Sequence, residues 1–157
     1  MNKRLLYSAI LCFIPDSGKR TNWLRKHNVF AHIGKKSIIR SRLIPLYPEL
    51  ITLGDNVRFA SNVHLITHDV IHMMLNNHPD FQDFKFKEKK GPIVFGNNIF
   101  VGANTTILYD VTVGDNVIIG AGSLVNKDIP SNSVVAGVPA RVIGSFDDFV
   151  KKRKTVE

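Results

Sequence analysis

Three histidines, His64, His68 and His72, stand four residues apart, and the middle one is followed by a carboxylate in the run Thr67-His68-Asp69. Two kinds of chemistry suit such a set. Side chains four apart share one face of a helix, where imidazoles can gather a metal ion. Alternatively, one imidazole with an unperturbed pKa of about 6.5 can take a proton from a reacting hydroxyl near neutral pH. The metal reading needs one helical register through all three, but His64 falls in a strand-like stretch, so no metal site is expected. Cys12 is the only cysteine, which excludes an intrachain disulfide and a thiolate zinc cluster and fits a reducing cytoplasm. A covalent route would need a nucleophile such as Cys12, which lies in the amino-terminal segment far from the histidines.

A rhythm of six must position these residues. Apolar side chains recur at Phe95, Val101, Ile107, Val113, Ile119 and Val125. Four residues after each stand Ile99, Thr105, Val111, Val117, Ser123 and Ile129, all apolar or small. Glycine follows the first set at Gly96, Gly102, Gly114 and Gly120. Upstream, Leu53-Gly54-Asp55-Asn56-Val57 and Phe59-Ala60-Ser61-Asn62-Val63 keep the same order, and Ile33-Gly34-Lys35-Lys36-Ser37 is a more degenerate copy. A six-residue period fits neither a helix nor unbroken strand alternation. It fits short strands joined by bends, because residues at even separation point to one side of a strand and the first and fifth of each hexad can face inward together. Asp55-Asn56, Asn97-Asn98 and Asp115-Asn116 tolerate the backbone angles of such bends. Stacked coils then bury an apolar column that a single coil cannot. The competing architecture is a β-sandwich with fortuitous spacing, and the constant phase of glycine and apolar positions argues against it.

The rhythm breaks after Leu65 and resumes near Ile93, leaving residues 67–91 as an excursion too long for a turn, with His68 and Asp69 at its root. At 157 residues and 44% hydrophobic content, one domain is expected. It divides into an amino-terminal helical segment over 1–32, a β-helix over 33–143 interrupted by the 67–91 loop, and a tail over 144–157. Twenty-one Lys and Arg against 13 Asp and Glu leave a net charge of +8, which favours an anionic partner. The excess lies before Arg42, between Lys85 and Lys90 and from Lys151 to Lys154, not in an aromatic-rich recognition module, so no nucleic acid is expected. Lys3 and Arg4 before the apolar stretch Leu5 to Ile14 give a superficial likeness to a signal peptide. The following Asp16-Ser17-Gly18-Lys19-Arg20 lacks a small-x-small cleavage pattern, and the apolar stretch is too short to span a bilayer. A capping or interface helix is expected there, with contact to a membrane surface left open.

The segment Ile118-Ile119-Gly120-Ala121-Gly122-Ser123-Leu124-Val125-Asn126-Lys127-Asp128-Ile129-Pro130, followed by Val135-Ala136-Gly137-Val138-Pro139-Ala140-Arg141-Val142-Ile143, resembles the carboxyl end of hexapeptide acyltransferases. With the Gly-Asp-Asn and Gly-Asn-Asn turns, it is similar to the maltose, galactoside and polysaccharide O-acetyltransferase branch. The resemblance runs from about Leu50 to Gly144, and the amino-terminal domain of maltose acetyltransferases is not recognisable. It implies a left-handed parallel β-helix, acetyl-CoA as acyl donor without a metal, and a homotrimer with sites between neighbouring subunits. A sugar or saccharide acceptor is implied too, in surface-polysaccharide or sugar-precursor modification.

His68 stands where those relatives carry their catalytic histidine. The resemblance implies that its neutral imidazole takes the acceptor proton as the oxygen attacks the thioester carbonyl. A backbone amide near Ala103 would face that carbonyl; some relatives carry Ser there, so Ala103 keeps the amide and lacks the hydroxyl. The pantetheine arm would lie along Ala103, Ala121 and Gly122. Lys127 and Arg141 are candidates for the CoA phosphates, with solvated surface charge as the other reading. Asn62 matches a sugar-contacting position and is equally readable as a turn residue. Asp69 could orient the His68 ring or hold a sugar hydroxyl. An N-acetyltransferase acting on an amino sugar and a metal-dependent protein of the γ-carbonic anhydrase type are the alternatives.

Overall fold

The computed structural model of the chain describes residues 3–155. It opens with helices α1 (Lys3–Cys12) and α2 (Ser17–Lys26). The Asp16 side chain accepts from the Lys19 N–H at 2.7 Å, satisfying one of the donors a helix start leaves free. Leu11 and Leu24 belong to the same core as the strands, and Tyr7 meets Trp23 edge to face at 5.1 Å. The two helices therefore close the first end of the core, as a capping segment must where a stack of coils would otherwise expose its column.

Short parallel strands follow: β1 (His32–Ile33), β2 (Ile51–Leu53), β3 (Val57–Phe59), β4 (His64–Ile66), β5 (Ile93–Phe95), β6 (Ile99–Val101), β7 (Thr106–Leu108), β8 (Val111–Val113), β9 (Val117–Ile119) and β10 (Leu124–Val125). From β2 onward each sheet takes every third strand, giving β2-β5-β8, β3-β6-β9 and β4-β7-β10. The registers Ile51↔Ile93↔Val111, Val57↔Ile99↔Val117 and Leu65↔Ile107↔Val125 stack like on like. A chain that returns to the same sheet every third strand, always parallel, is a parallel β-helix; the strand directions exclude a sandwich.

Both expected inward positions are buried. Phe95, Val101, Ile107, Val113, Ile119 and Val125 lie in the core with Ile99, Val111, Val117 and Ile129. Each such side chain gains about 1.5–3 kcal/mol from leaving water. The polar members of the column are satisfied, since the Thr105 and Ser123 hydroxyls donate to the Gly120 carbonyl at 3.1 and 2.7 Å.

The bends rest on asparagine. Asn56, Asn98, Asn116 and Asn132 all take left-handed backbone angles, φ 55° to 59°. Their side-chain amides form a ladder, each donating to the next at 3.1, 3.1 and 2.9 Å. Asn98 and Asn116 are 18 residues apart, whereas Asn56 and Asn98 are 42 apart. The difference is the 67–91 excursion, which contains α3 (Ile71–Asn76).

The last coil departs from the expected span of 33–143. Parallel stacking ends with β11 (Ser133–Gly137), which pairs with β9. β12 (Ala140–Ser145) runs back antiparallel along β11, turning at Gly137 with φ 103°, a region that favours glycine. A hairpin strand covers the edge that a final coil would leave open. The tail is α4 (Phe146–Lys154), capped by Ser145, whose hydroxyl accepts from the Asp148 N–H at 3.1 Å. None of the described helices is long and apolar enough to cross a membrane.

Candidate active site

Thr67 is buried and its hydroxyl donates to the Leu46 carbonyl, fixing the root of the excursion. The two ends of the loop are zipped together. His68 forms an antiparallel bridge with Lys90, Asp69 N–H donates to Lys89 O at 3.0 Å, and Gly91 N–H donates to Thr67 O at 2.9 Å. His68 is thus held at the edge of the coil rather than on a free loop.

Its ring meets Tyr47 edge to face, centroids 5.5 Å apart at 78°. The Tyr47 hydroxyl donates to Glu88 at 2.7 Å and the Lys90 ammonium lies 4.1 Å from the Tyr47 ring centroid. That hydrogen bond holds the Glu88 carboxyl below its ordinary pKa and pushes the Tyr47 phenol up. The His68 Nδ1 atom is buried without a hydrogen-bond partner among the described residues. An unpaired buried nitrogen is uncommon in a folded protein and marks this imidazole for explanation.

His68 lines a cavity of about 580 Å³, with Asn62, His64, Leu65 and Ile66 on the coil side and the segment 39–46 opposite. This is the size of a small-molecule site. Asn62 adopts φ 57° and donates its amide to Asn104 at 3.2 Å. It is therefore a bend residue that also borders the cavity. Asp69 turns its carboxylate away from the His68 Nδ1, accepting from the Tyr109 hydroxyl at 2.7 Å and the Ile71 N–H at 3.2 Å. The Tyr109 bond, foremost, depresses the Asp69 pKa. His64 belongs to β4 and His72 to α3, so the three histidines do not share a helix face. Among the described residues, no group of three His, Cys, Asp or Glu is disposed to hold a metal ion.

Ala103 lies at the bend between β6 and β7, while His68 follows β4, the partner of β7. The face β4-β7-β10 separates them. Gly122 N–H donates to Ala103 O at 2.8 Å, and Ala121 and Gly122 are exposed one coil further on. A β-carbon at Gly122 would have nothing within 4 Å, so the backbone is open to approach there. Lys127 and Arg141 are brought together: both line a groove of about 320 Å³ with Val125, Asp128 and Pro130. Lys127 comes two residues after Val125, whose partner is Ile107, and so shares an edge of the coil with Tyr109. Cys12 is exposed on α1 and lines neither cavity.

Tyr47, Glu88, Tyr109, Arg40 and Arg42 were not singled out by motif. Tyr109 is legible once coils are stacked, because the pairing Ile66↔Leu108 carries Thr67 onto Tyr109. Tyr47 and the arginines lie outside any hexad and had no such signal.

Residues 92–127 match the family described as bacterial transferase hexapeptide (six repeats). The galactoside O-acetyltransferase of Escherichia coli (strain K12) is 42% identical over 118 residues, which is 74% of this chain and 55% of that enzyme. The chain thus spans little more than half the length of that relative. A galactoside acetyltransferase solved in complex with coenzyme A superposes with a TM-score of 0.63 at 29% identity, covering 95% of this chain and 83% of that one. A maltose O-acetyltransferase from Clostridium difficile 630 superposes at 0.64 and 28% identity, covering 91% and 86%. Repeat, coil and these likenesses agree: the chain carries the bacterial transferase hexapeptide repeat and is similar to the galactoside and maltose O-acetyltransferases.

Proposed function

We propose that this chain is an acetyl-CoA-dependent O-acetyltransferase that transfers acetyl to a saccharide hydroxyl, with His68 as general base. The observation that carries the reading is the placement of His68 in the wall of the 580 Å³ cavity, its ring fixed against Tyr47 and its Nδ1 unpaired. The likeness to an O-acetyltransferase and to a coenzyme A complex supplies the reaction class. The coil is taken to be left-handed, as in that branch, and the working form to be a homotrimer. A donor as common as acetyl-CoA fits a cytoplasmic enzyme.

Acetyl-CoA is already activated, so the difficulty lies with the acceptor. A sugar hydroxyl is a weak nucleophile until its proton leaves, and a neutral imidazole is suited to take it during attack. The oxygen adds to the thioester carbonyl, the tetrahedral intermediate collapses, and CoA departs as thiolate while the proton stays on His68. No covalent enzyme intermediate is needed. A backbone N–H near Ala103 would donate to the developing oxyanion, and rigid main-chain donors serve because they need no reorganisation. The exposed backbone at Ala121 and Gly122 suits the pantetheine arm. Lys127 and Arg141, sharing one groove, suit the CoA phosphates.

The test follows CoA release from acetyl-CoA in the presence of sugars, nucleotide sugars and oligosaccharides. Acceptor-dependent release that is lost in His68→Ala is expected. Absence of coenzyme A binding by calorimetry, or binding abolished by a chelator, would overturn the reading.

A further inference from the structure

The cavity that His68 lines is rich in positive charge. Arg4, Arg40 and Arg42 line it, and neither Asp nor Glu does. Arg4 is committed to the fold, donating from Nη1 to the Ile44 carbonyl at 3.2 Å. Behind the wall, buried Arg20 donates from Nη1 to the Ile14 and Pro15 carbonyls at 2.7 Å and from Nη2 to the Arg40 carbonyl at 3.1 Å. The Arg40 and Arg42 guanidiniums make no hydrogen bond or ion pair among the described residues.

Exposed arginines ordinarily rest in solvent, but three features set these apart. The first is local contrast. On the loop side of His68 the two cations nearest it in the zipped loop end are matched, Lys89 with Asp110 at 3.1 Å and Lys90 with Glu88 at 3.5 Å. On the cavity side Arg40 and Arg42 are not. The second is crowding: after burial, the positive charges of Arg42 and Arg40 both push the Arg20 pKa down. Asp16 offsets part of this at Arg20, but no carboxylate is paired with Arg40 or Arg42 among the described residues, and an anion supplied from outside relieves the remaining repulsion. The third is construction. The sheet β10-β7-β4 ends at β4, and residues 39–46, in the chain between β1 and β2, line the cavity together with β4 instead of forming another strand. Within it the Ser41 hydroxyl accepts from the Leu43 N–H at 3.1 Å and donates to the Leu43 carbonyl at 2.9 Å, holding a turn with Arg42 at its tip.

We infer that the saccharide this cavity accepts is anionic, its carboxylate or phosphate held by Arg40 and Arg42 while the hydroxyl to be acetylated faces His68. The inference rests on the acetyl-transfer reading for its orientation, but not for the binding itself. Planar guanidinium groups pair with both anions through parallel N–H donors, so the shared chemistry is that of an oxyanion on a sugar.

The experiment measures binding to the full chain with coenzyme A present, at low ionic strength, for matched probes: glucose, glucuronate and glucose 6-phosphate. At least one anion is expected to bind about tenfold or more tightly than glucose, with the gap shrinking in salt. The carboxylate and phosphate arms identify which oxyanion is taken. The double variant Arg40→Gln, Arg42→Gln should bring the anion to the affinity of glucose while coenzyme A affinity stays unchanged. If the double variant loses coenzyme A binding through misfolding, each single variant should still reduce the anion preference. Equal binding of all three probes, a preference that survives the substitutions, or displacement of the anion by coenzyme A would overturn the inference. Failure of the two readings is distinguishable. Anion binding through Arg40 and Arg42 without acetylation of any saccharide sinks only the transfer reading, whereas acetylation confined to neutral sugars sinks only this one.

Discussion

His68 and Asp69 are neighbours in sequence whose side chains serve different partners. The Nδ1 of His68 is buried and unpaired among the described residues, while Asp69 is spent on Tyr109 and the start of α3. Replacing His68 with Ala should lower turnover by roughly 10²- to 10⁴-fold and leave acetyl-CoA affinity nearly unchanged, read from steady-state kinetics beside calorimetry. Only the neutral ring can serve, because imidazolium has no lone pair to accept a proton. Asp69 makes a separate forecast. Its folded pKa is depressed, chiefly by the Tyr109 hydroxyl. Its contribution to stability is therefore present above the ordinary aspartate pKa and is lost as pH falls through the lowered one. Tyr109→Phe should return the Asp69 carboxyl toward its ordinary range in a carbon-detected NMR titration. An unchanged midpoint would mean that the hydrogen bond is not the cause.

The coil depends on its bends as much as on its column. Asn98 is in the left-handed region at φ 57° and sits in the middle of the amide ladder. Asn98→Ala keeps a β-carbon where it costs roughly 1–2 kcal/mol and also removes the ladder bonds. Asn98→Gly loses the same bonds without the steric cost, so urea unfolding should rank the glycine variant above the alanine variant by about 1 kcal/mol. Gly54 is demanding for another reason: a β-carbon there would run into the carbonyl of Gly96 on the next coil. Gly54→Ala should lower the unfolding midpoint even though alanine is small, since backbone on backbone cannot step aside as a side chain can. Equal stability of Gly54→Ala and the parent would mean that close approach of the Gly54 and Gly96 coils does not limit stability.

At the scale of the whole molecule, one chain leaves apolar surface uncovered. Val70, Ile71, Met73 and Met74 are exposed on the excursion, and Val138, Val142 and Ile143 at the closing hairpin. Large exposed apolar side chains grouped in this way mark surfaces of association. Light scattering should give a trimer, and mixing inactive His68→Ala chains with inactive Lys127→Glu chains should restore part of the activity if sites lie between subunits. A stable, fully active monomer would count against both. Lys127→Glu alone should weaken coenzyme A binding, because it places a negative charge in the groove it shares with Arg141.

The sequence by itself determined the coil. Six-residue spacing is local information: each hexad states where its strand faces inward and where it bends, whereas the number of hexads in a coil, and with it the pairing Ile93↔Val111, came with the structure. The spacing also isolated His68, because a break in a regular pattern is as visible as the pattern. Tertiary structure decided what surrounds that histidine. Tyr47, Arg40 and Arg42 come from the irregular segment before β2, and Glu88 and Lys90 from the far end of the excursion. No period relates these stretches to β4. They meet only because a coil brings residues many positions apart onto one edge, and because the open edge of β4 must be covered by something. The hand-back of β12 along β11 was likewise settled by the need to cover a last strand, a requirement of the finished stack that no single hexad carries.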